Sequence, residues 1–558
     1  MNTKLHESFQ LFREASIKDF FNFRMNPPNE LENTQQQPQN IPSNIPHLPN
    51  ITPFHTLKFL LLVGAILAVV MLLVDMKILP KEITLSDKIK IDLFSFQSVF
   101  LKEKPKYANI SDIQKEGDKL NQNKKINPET GEISENSMVD VLEKNPEKIK
   151  QQKNNLYKKD TLAFRRRIQY LEDDNAPLMP FFRQLALLEK GKNEEIIRAV
   201  HLGDSQLEGD RITAYLRLKF QERFGGSGAG LQGLNNKSNS KLSVLQQNDN
   251  QWLMFPLFGK SPAPSSGFYG LLMNYYKFGE YSKRDSLGRI SRFPTRAFAK
   301  FFRSESATKS DQKVENIKVL YRNPTANFKL NIIQNGKNIA TETIEKSDEM
   351  NVFSLDLEGK FENLVVNFEG SISPEITGIA LDSKKGITFD NVPMRGSSGL
   401  GFSKINKAHL KNQLEKLNVK LLILQFGANL DFKQKEYSWY EEAFFKELQV
   451  FKNLAPDVAI LVIGTSDRSY NNGGSYVSYP AVAMIRDAQR NAAFRANCAF
   501  WDLYEVMGGK NSMPSWVYAK DPLAIKDFTH FTQKGANIVA EMLYEALIRE
   551  YGFAKPLL

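Results

Sequence analysis

The pattern of apolar and polar positions divides the chain into distinct regimes. Phe59–Val74 (FLLLVGAILAVVMLLV) is an uninterrupted apolar run, and with Thr56-Leu57 and Met76–Leu79 it approaches the roughly 20 residues needed to span a bilayer. It starts more than 50 residues into the chain, and no small-residue cleavage site follows before Lys77 and Pro80. Both features argue against a cleaved signal peptide. Pro-rich polar sequence before the run and charged sequence after it argue against a buried core helix. Upstream, Gln35–Pro53 reads as an extended tether. Leu5–Phe23 carries apolar residues at helical spacing, which suits a short amphipathic helix on a membrane or a partner. Downstream, residues 80–156 are rich in Lys, Asn, Glu and Gln without sustained apolar periodicity, and are expected to form a flexible linker.

A different rhythm begins near Thr161. Leu162–Leu171 and Leu178–Leu188 read as helices, followed by the apolar strand Ile196–Leu202, which runs into Gly203-Asp204-Ser205, and then by a helix over Asp210–Phe224. Further apolar runs at Leu421–Phe426, Val458–Ile463 and Ala499–Leu503 alternate with helical patterns at Tyr440–Leu454, Tyr479–Ala496 and Gln533–Glu550. Continuous apolar strands between amphipathic helices predict an α/β fold whose parallel sheet is covered on both faces. Between Leu231 and Lys385 the period changes to short alternating segments, such as Ile317–Tyr321, Phe328–Gln334 and Leu364–Phe368, with turns at Asn335-Gly336 and Glu358-Gly359. That spacing predicts an antiparallel β-sandwich inserted into the α/β domain, which leaves 157–230 and 386–558 as the two parts of one domain around an insertion at 231–385.

Composition narrows the function classes. At 558 residues, with 41% hydrophobic and 11% aromatic content, the chain can fill more than one core. The single cysteine, Cys498, excludes an intramolecular disulfide and a Cys-rich metal site, and reads as a buried small residue. The net charge is +11, and lysines crowd the stretch from about Lys81 to Arg167. With no zinc-finger spacing, RNP-like strand or basic recognition helix, that stretch reads as a solvated, lysine-rich linker, and no nucleic-acid partner is expected. His201 reads as a satisfied strand-end histidine. Gly226–Gly230 lacks the lysine of a phosphate-binding loop, so no metal and no cofactor are expected.

Candidate chemistry gathers where strands end. Ester hydrolysis needs an activated hydroxyl, a base, an orienter for that base and donors for a developing oxyanion. Ser205 sits where a strand gives way to a helix, at the carboxyl edge of the expected sheet, although Gly-Asp-Ser alone is usually only a turn. In Asp527-Phe528-Thr529-His530, the three-residue spacing lets the carboxylate reach imidazole Nδ1 and leaves Nε2 for the serine. Asn429, after the strand that ends in Gln425-Phe426-Gly427, is a candidate amide donor at the same edge. The loop Met394-Arg395-Gly396-Ser397-Ser398-Gly399 offers glycine N–H groups, with Gly396 placed ahead of Gly399.

The order Gly-Asp-Ser, Gly-rich loop, Gly-x-Asn and Asp-x-x-His resembles the SGNH hydrolases, also called GDSL esterases, over about residues 196–230 and 386–551. The resemblance implies a flavodoxin-like α/β/α fold with Ser205 as nucleophile. It also implies an oxyanion hole from the Ser205 N–H, Gly396 and Asn429, with His530 and Asp527 completing the triad. A narrower likeness rests on His201-Leu202-Gly203-Asp204-Ser205-Gln206, Gly209-Asp210 and Phe224–Gly230. These segments look like those of bacterial peptidoglycan O-acetylesterases, which carry a β-sandwich insertion at the corresponding place. Trp252, Phe268, Tyr269, Tyr275 and Tyr276 of the insertion would either stack on sugar rings or fill its core, and the core is the default.

The expectation is a membrane-anchored serine esterase that removes acetyl or similar groups from an acylated envelope glycan. The alternatives are an O-acyltransferase served by a membrane-bound acyl-donor protein, and a non-catalytic glycan-binding scaffold. Lys77, Lys81, Lys88 and Lys90 follow the apolar run and Lys58 precedes it, so loop charge alone would place the downstream part inside. Glycan chemistry places it outside instead. This gives a cytoplasmic tail over 1–55, a span over 56–79 in the inner membrane and a periplasmic catalytic domain.

Overall fold

The structure, a computed structural model, describes residues 53–80, 82–86, 89–95, 105–123, 145–172, 175–235, 243–262, 265–279 and 281–558. The amphipathic helix expected over Leu5–Phe23 and nearly all of the tether over Gln35–Pro53 lie outside the described residues. Two compact units divide near Glu103. In the first, the apolar run forms one helix, Pro53–Asp75, of 23 residues. At 1.5 Å per residue that is about 35 Å, long enough to cross a bilayer. Phe59, Leu60, Leu61, Leu62, Ile66 and Leu67 are all exposed, and Val74 is the helix's buried residue. By length and composition this helix could cross a membrane. Glu82–Ser86 and Ile89–Asp92 form an antiparallel hairpin after it.

The second unit is built on a six-stranded sheet ordered Gly386–Pro393, Ile196–Gly203, Val419–Gln425, Ala459–Ile463, Ala499–Trp501 and Ile168–Gln169. The first five strands are parallel and the last is antiparallel. Side chains alternate between the faces. Ile197, Ala199, Leu421 and Ile423 pack with the helices Met179–Glu189, Thr213–Phe224 and Gln533–Ala554. Val200, Leu202, Leu422 and Leu424 pack with Lys407–Lys416, Ser438–Leu454 and Ala481–Arg495. Both faces are therefore dry, which is why these strands read as unbroken apolar runs. Cys498 is buried, and burial pushes its thiol up to about 12.

Two local expectations need correction. The helix expected over Leu162–Leu171 stops at Arg165, and Ile168–Gln169 turns into the edge strand against Ala499–Trp501. Burying Ile168 and bonding the Trp501 indole N–H to the Arg166 carbonyl at 3.1 Å outweigh the helical period there. The linker expected over 80–156 holds the helices Ser111–Asn123 and Pro146–Lys159, which pack on the domain. Ile113 is fully buried, and Lys153 and Tyr157 both reach the buried Glu550, at 3.0 and 2.8 Å. The anchors Ile110, Ile113, Ile149 and Tyr157 are too sparse to register as a period among so many lysines.

Residues 231–385 supply two antiparallel sheets. One runs Lys337–Ile344, Phe328–Gln334, Asn363–Gly370, Thr295–Arg303 and Val244–Asn248. The other runs Ser347–Asp356, Asn316–Asn323, Glu375–Asp382, Asn274–Phe278 and Trp252–Pro256, with Gly230–Gln232 also paired to Glu375–Asp382. Phe301, Ile317, Leu330, Leu364, Phe368 and Ile376 share one core between them. Asn335 and Gly336, both at positive φ (51° and 82°), make the tight turn expected of Asn-Gly. Trp252, Tyr269, Tyr275 and Tyr276 are buried, and Phe268 lies under the Arg322 guanidinium at 3.8 Å, so these aromatics pack inward.

This region does not stand apart from the parallel sheet. Leu231, Leu320, Met350 and Ala380 belong to the same core as Val200, Leu202 and Val392. Two buried arginines fasten it electrostatically. Arg198, on the strand that leads to Ser205, pairs with Asp390 of the neighbouring strand and with Asp382 of the antiparallel sheet, both at 2.5 Å. Arg217 reaches Asp210 at 2.6 Å and Asp311 at 3.0 Å, and also bonds the Phe389 carbonyl. Boundaries drawn at 231 and 385 would cut through both.

Candidate active site

At the carboxyl edge of the sheet the chain leaves Ile196–Gly203 and turns at once. A Cβ on Gly203 would lie 2.7 Å from Leu207 and 2.8 Å from the Gln425 carbonyl, so only glycine fits. Asp204 accepts the Gln206 N–H at 3.0 Å and starts a short helical turn over Ser205–Asp210. Gly209 and Asp210 then take positive φ (73° and 64°), which redirects the chain into Thr213–Phe224. This sharp entry holds Ser205 in place, nearly buried, with its hydroxyl at the edge.

The structure brings the distant Asp527–His530 turn onto that hydroxyl. Ser205 Oγ lies 2.8 Å from His530 Nε2, and His530 Nδ1 lies 2.6 Å from Asp527 Oδ2. The other Asp527 oxygen accepts the N–H groups of Thr529 (2.9 Å) and His530 (3.0 Å), so the carboxylate shapes the turn as well as orienting the ring. Phe528 has a positive φ of 55°, held by stacking on Tyr476 with centroids 3.5 Å apart.

The candidate donors lie on two neighbouring loops. Asn429 Nδ2 donates to the Ser397 carbonyl at 3.1 Å, which ties the Asn429 loop to the Gly396 loop and leaves its second amide hydrogen available. The two glycines separate clearly. A Cβ on Gly399 would strike Phe426 at 2.7 Å, whereas one on Gly396 would meet nothing within 4 Å. Gly399 is therefore needed for packing, and Gly396 faces open space. Among the described residues, no hydrogen bond occupies the N–H of Ser205 or of Gly396.

Gln206, Arg211 and Arg468, none of them given a role from the sequence, hold this set together. Gln206 donates to the Thr529 carbonyl at 2.6 Å and accepts from the Phe531 N–H at 3.4 Å, bracketing His530 from both sides. Arg211 bonds the carbonyls of Ser205 (2.8 Å), Glu208 (2.9 Å) and Phe531 (2.9 Å), joining the serine turn to the histidine turn. Arg468 bonds the Ala428 carbonyl at 2.7 Å, beside Asn429. Each acts on backbone carbonyls far away in sequence, which leaves no spacing signal.

Electrostatics distinguish the carboxylates. Partial burial pushes Asp527 up, but hydrogen bonds from the His530 side chain and from the His530 and Thr529 backbone outweigh it, and its pKa is lowered. Asp204 is fully buried, and burial raises it from 3.8 to about 6 against the N–H groups of Gln206 and Ala428. His201, bonded to Gln425 and Thr213, is held neutral by burial, with its pKa lowered to about 3. Among the described residues no cluster of His, Cys, Asp or Glu is arranged for a metal ion.

The Asp204 shift has a definite sign. The folded group binds its proton more tightly than the unfolded one, so its ionisation costs stability progressively as pH rises from about 4 to about 6, and by a constant amount above that. Asp204→Asn removes this cost. Its melting temperature relative to the parent should therefore rise across that window, as followed by thermal melts at pH 4.5, 6 and 7.5. A flat or falling difference would contradict the shift.

The relay can move one proton from a serine hydroxyl to an imidazole steadied by a carboxylate, beside open N–H donors. Such an arrangement is chemically able to activate a hydroxyl as a nucleophile. No family model and no curated protein matches the sequence. Among solved structures, the chain is similar to a peptidoglycan O-acetylesterase at 21% identity, over 69% of this chain and 99% of that one, with a TM-score of 0.53. The two share a fold. A family two carbohydrate esterase from Clostridium thermocellum aligns over 46% of this chain and 93% of its own at 8% identity (TM-score 0.21). A salicylyl-acyltransferase aligns over 55% and 98% at 10% identity (TM-score 0.23). The resemblance to SGNH/GDSL hydrolases read from the four sequence blocks thus has a counterpart in the fold.

Proposed function

We propose that this chain is a membrane-anchored serine esterase that removes acetyl or similar small acyl groups from an envelope glycan. The observation that carries the reading is the unbroken hydrogen-bonded series Ser205–His530–Asp527 at the carboxyl edge of the sheet. Ser205 Oγ attacks the ester carbonyl as His530 Nε2 takes its proton, and the oxyanion is held by the N–H groups of Ser205 and Gly396 and by the Asn429 amide. His530 returns the proton to the departing sugar oxygen, leaving an acyl-serine. Water, deprotonated by the same imidazole, then releases the acid. Asp527 stays ionised and stabilises the imidazolium.

The strand order, with the second strand of the α/β unit beside the first and the third to fifth following, supports a flavodoxin-like domain. The two antiparallel sheets with a common core support an inserted β-sandwich. The apolar helix Pro53–Asp75 supports a single span, and glycan chemistry places the catalytic part on the periplasmic face of the inner membrane. The alignment of 69% of this chain with 99% of a peptidoglycan O-acetylesterase makes peptidoglycan the first substrate to try.

The test uses the full chain in detergent with O-acetylated peptidoglycan and acetylated xylan, each with and without a free acceptor sugar. Acetate release that does not require the acceptor is expected. Acetyl transfer to the acceptor without free acetate would establish the acyltransferase instead. Inertness toward both glycans and toward a small aryl acetate would leave the scaffold reading.

A further inference from the structure

Trp252, Tyr269, Tyr275 and Tyr276 of the insertion are buried, whereas the histidine side of the site carries exposed side chains. Tyr518 is 57% exposed and Ile525 is 44% exposed, the latter only two residues from Asp527 and bonded through its N–H to the His530 carbonyl. Large side chains left in water on and against the turn that carries the candidate base call for an explanation. The Tyr518 ring is not loose. It meets buried Phe528 edge-on at 5.6 Å, and Tyr107 lies nearly parallel to it, with centroids 6.0 Å apart at 27°. Tyr107 is itself fixed, because Asn511 bonds the Lys106 carbonyl and accepts the Ala108 N–H, while Ser515 bonds the Ala108 carbonyl.

Resting on the esterase reading, the geometry points to a carbohydrate-stacking subsite formed by Tyr518 and Tyr107 beside the Asp527–His530 turn, which holds the sugar ring next to the acylated one. A pyranose presents a face of polarised C–H bonds, and the electron-rich face of an aromatic ring is its complement. Two preorganised rings supply that face with little conformational entropy left to lose, and their hydroxyl rims suit the equatorial polar groups of a sugar. The anchoring of Phe528 within the Asp527–His530 turn fixes the rings in register with the ester chemistry. A glycan chain continues past its acylated unit, whereas a small acyl ester has no neighbouring ring to place on this surface.

The experiment compares kcat/KM for the glycan that the parent deacetylates with kcat/KM for a small aryl acetate, using the full chain in detergent. Tyr518→Ala should lower the glycan-to-aryl-acetate ratio by about tenfold, mainly through KM, and Tyr107→Ala should lower it by a smaller factor. Tyr518→Phe, which keeps the ring, should hold the ratio within about twofold of the parent and guards against a folding defect in the alanine variant. An unchanged ratio in Tyr518→Ala, or an equal fall in the Phe and Ala variants, overturns the subsite while leaving the esterase reading intact. A parent that cleaves neither substrate, or only the aryl ester, fails the glycan-esterase reading itself and takes the subsite with it.

Discussion

Ser205→Ala should lower ester turnover by about four or more orders of magnitude, and adding His530→Ala should cost little further. The reason is mutual dependence. The hydroxyl 2.8 Å from Nε2 is a useful nucleophile only while the imidazole takes its proton, and the imidazole has nothing to deprotonate once Oγ is gone. Asp527→Asn should keep the turn, because an amide oxygen still accepts the N–H groups of Thr529 and His530, but it misorients the ring. The loss should fall between those of the serine and the donor variants. Asn429→Ala leaves the relay whole and removes one oxyanion donor, so a loss of roughly 10²–10³ is expected. Additive losses for Ser205→Ala and His530→Ala, read from kcat on an aryl acetate, would mean that they do not act as one unit.

Arg198→Met should destabilise the protein by about 3–5 kcal/mol, because it takes the guanidinium from two buried carboxylates and leaves Asp390 with the Leu231 N–H and Asp382 with Lys318 at 3.8 Å. Replacing all three residues with apolar ones of similar volume should cost far less, since no orphaned charge remains. The comparison is read from urea unfolding of the full chain in detergent, with the N-terminal helix kept in the micelle. The same logic applies to cutting out residues 231–385. Excision would remove Asp382 from Arg198 and Asp311 from Arg217, and would open the core shared by Leu231, Ala380 and Val200. An excised chain should fail to fold. Small losses for both Arg198→Met and the excision would show that the antiparallel sheets are only loosely held.

The sequence was informative wherever a local pattern carries a local consequence. The parallel strands were legible because burial on both faces removes alternation, and the Asn335-Gly336 hairpin because positive φ favours those residues. Ser205, His530, Asp527, Asn429 and Gly396 stood out because each follows a strand end or precedes a helix start, and the structure places the first three in one hydrogen-bonded series. What stayed hidden acts at long range. Gln206 and Arg211 look like ordinary polar residues after a turn, yet they hold backbone more than 300 residues away. Arg198, inside an apolar strand, gave no sign that one of its partners, Asp382, lies in a different sheet. The helices Ser111–Asn123 and Pro146–Lys159 were hidden because a few buried isoleucines and a tyrosine do the packing within a mostly charged segment.

The central claim, that Ser205 is a nucleophile activated by His530, is tested most directly by covalent trapping. The full chain is treated with a fluorophosphonate, digested, and the adduct is located by peptide mass spectrometry. One adduct is expected, on the peptide that carries Gly203-Asp204-Ser205, and it should be lost in Ser205→Ala and strongly slowed in His530→Ala. Labelling of a different serine, or undiminished labelling in Ser205→Ala, would contradict the account.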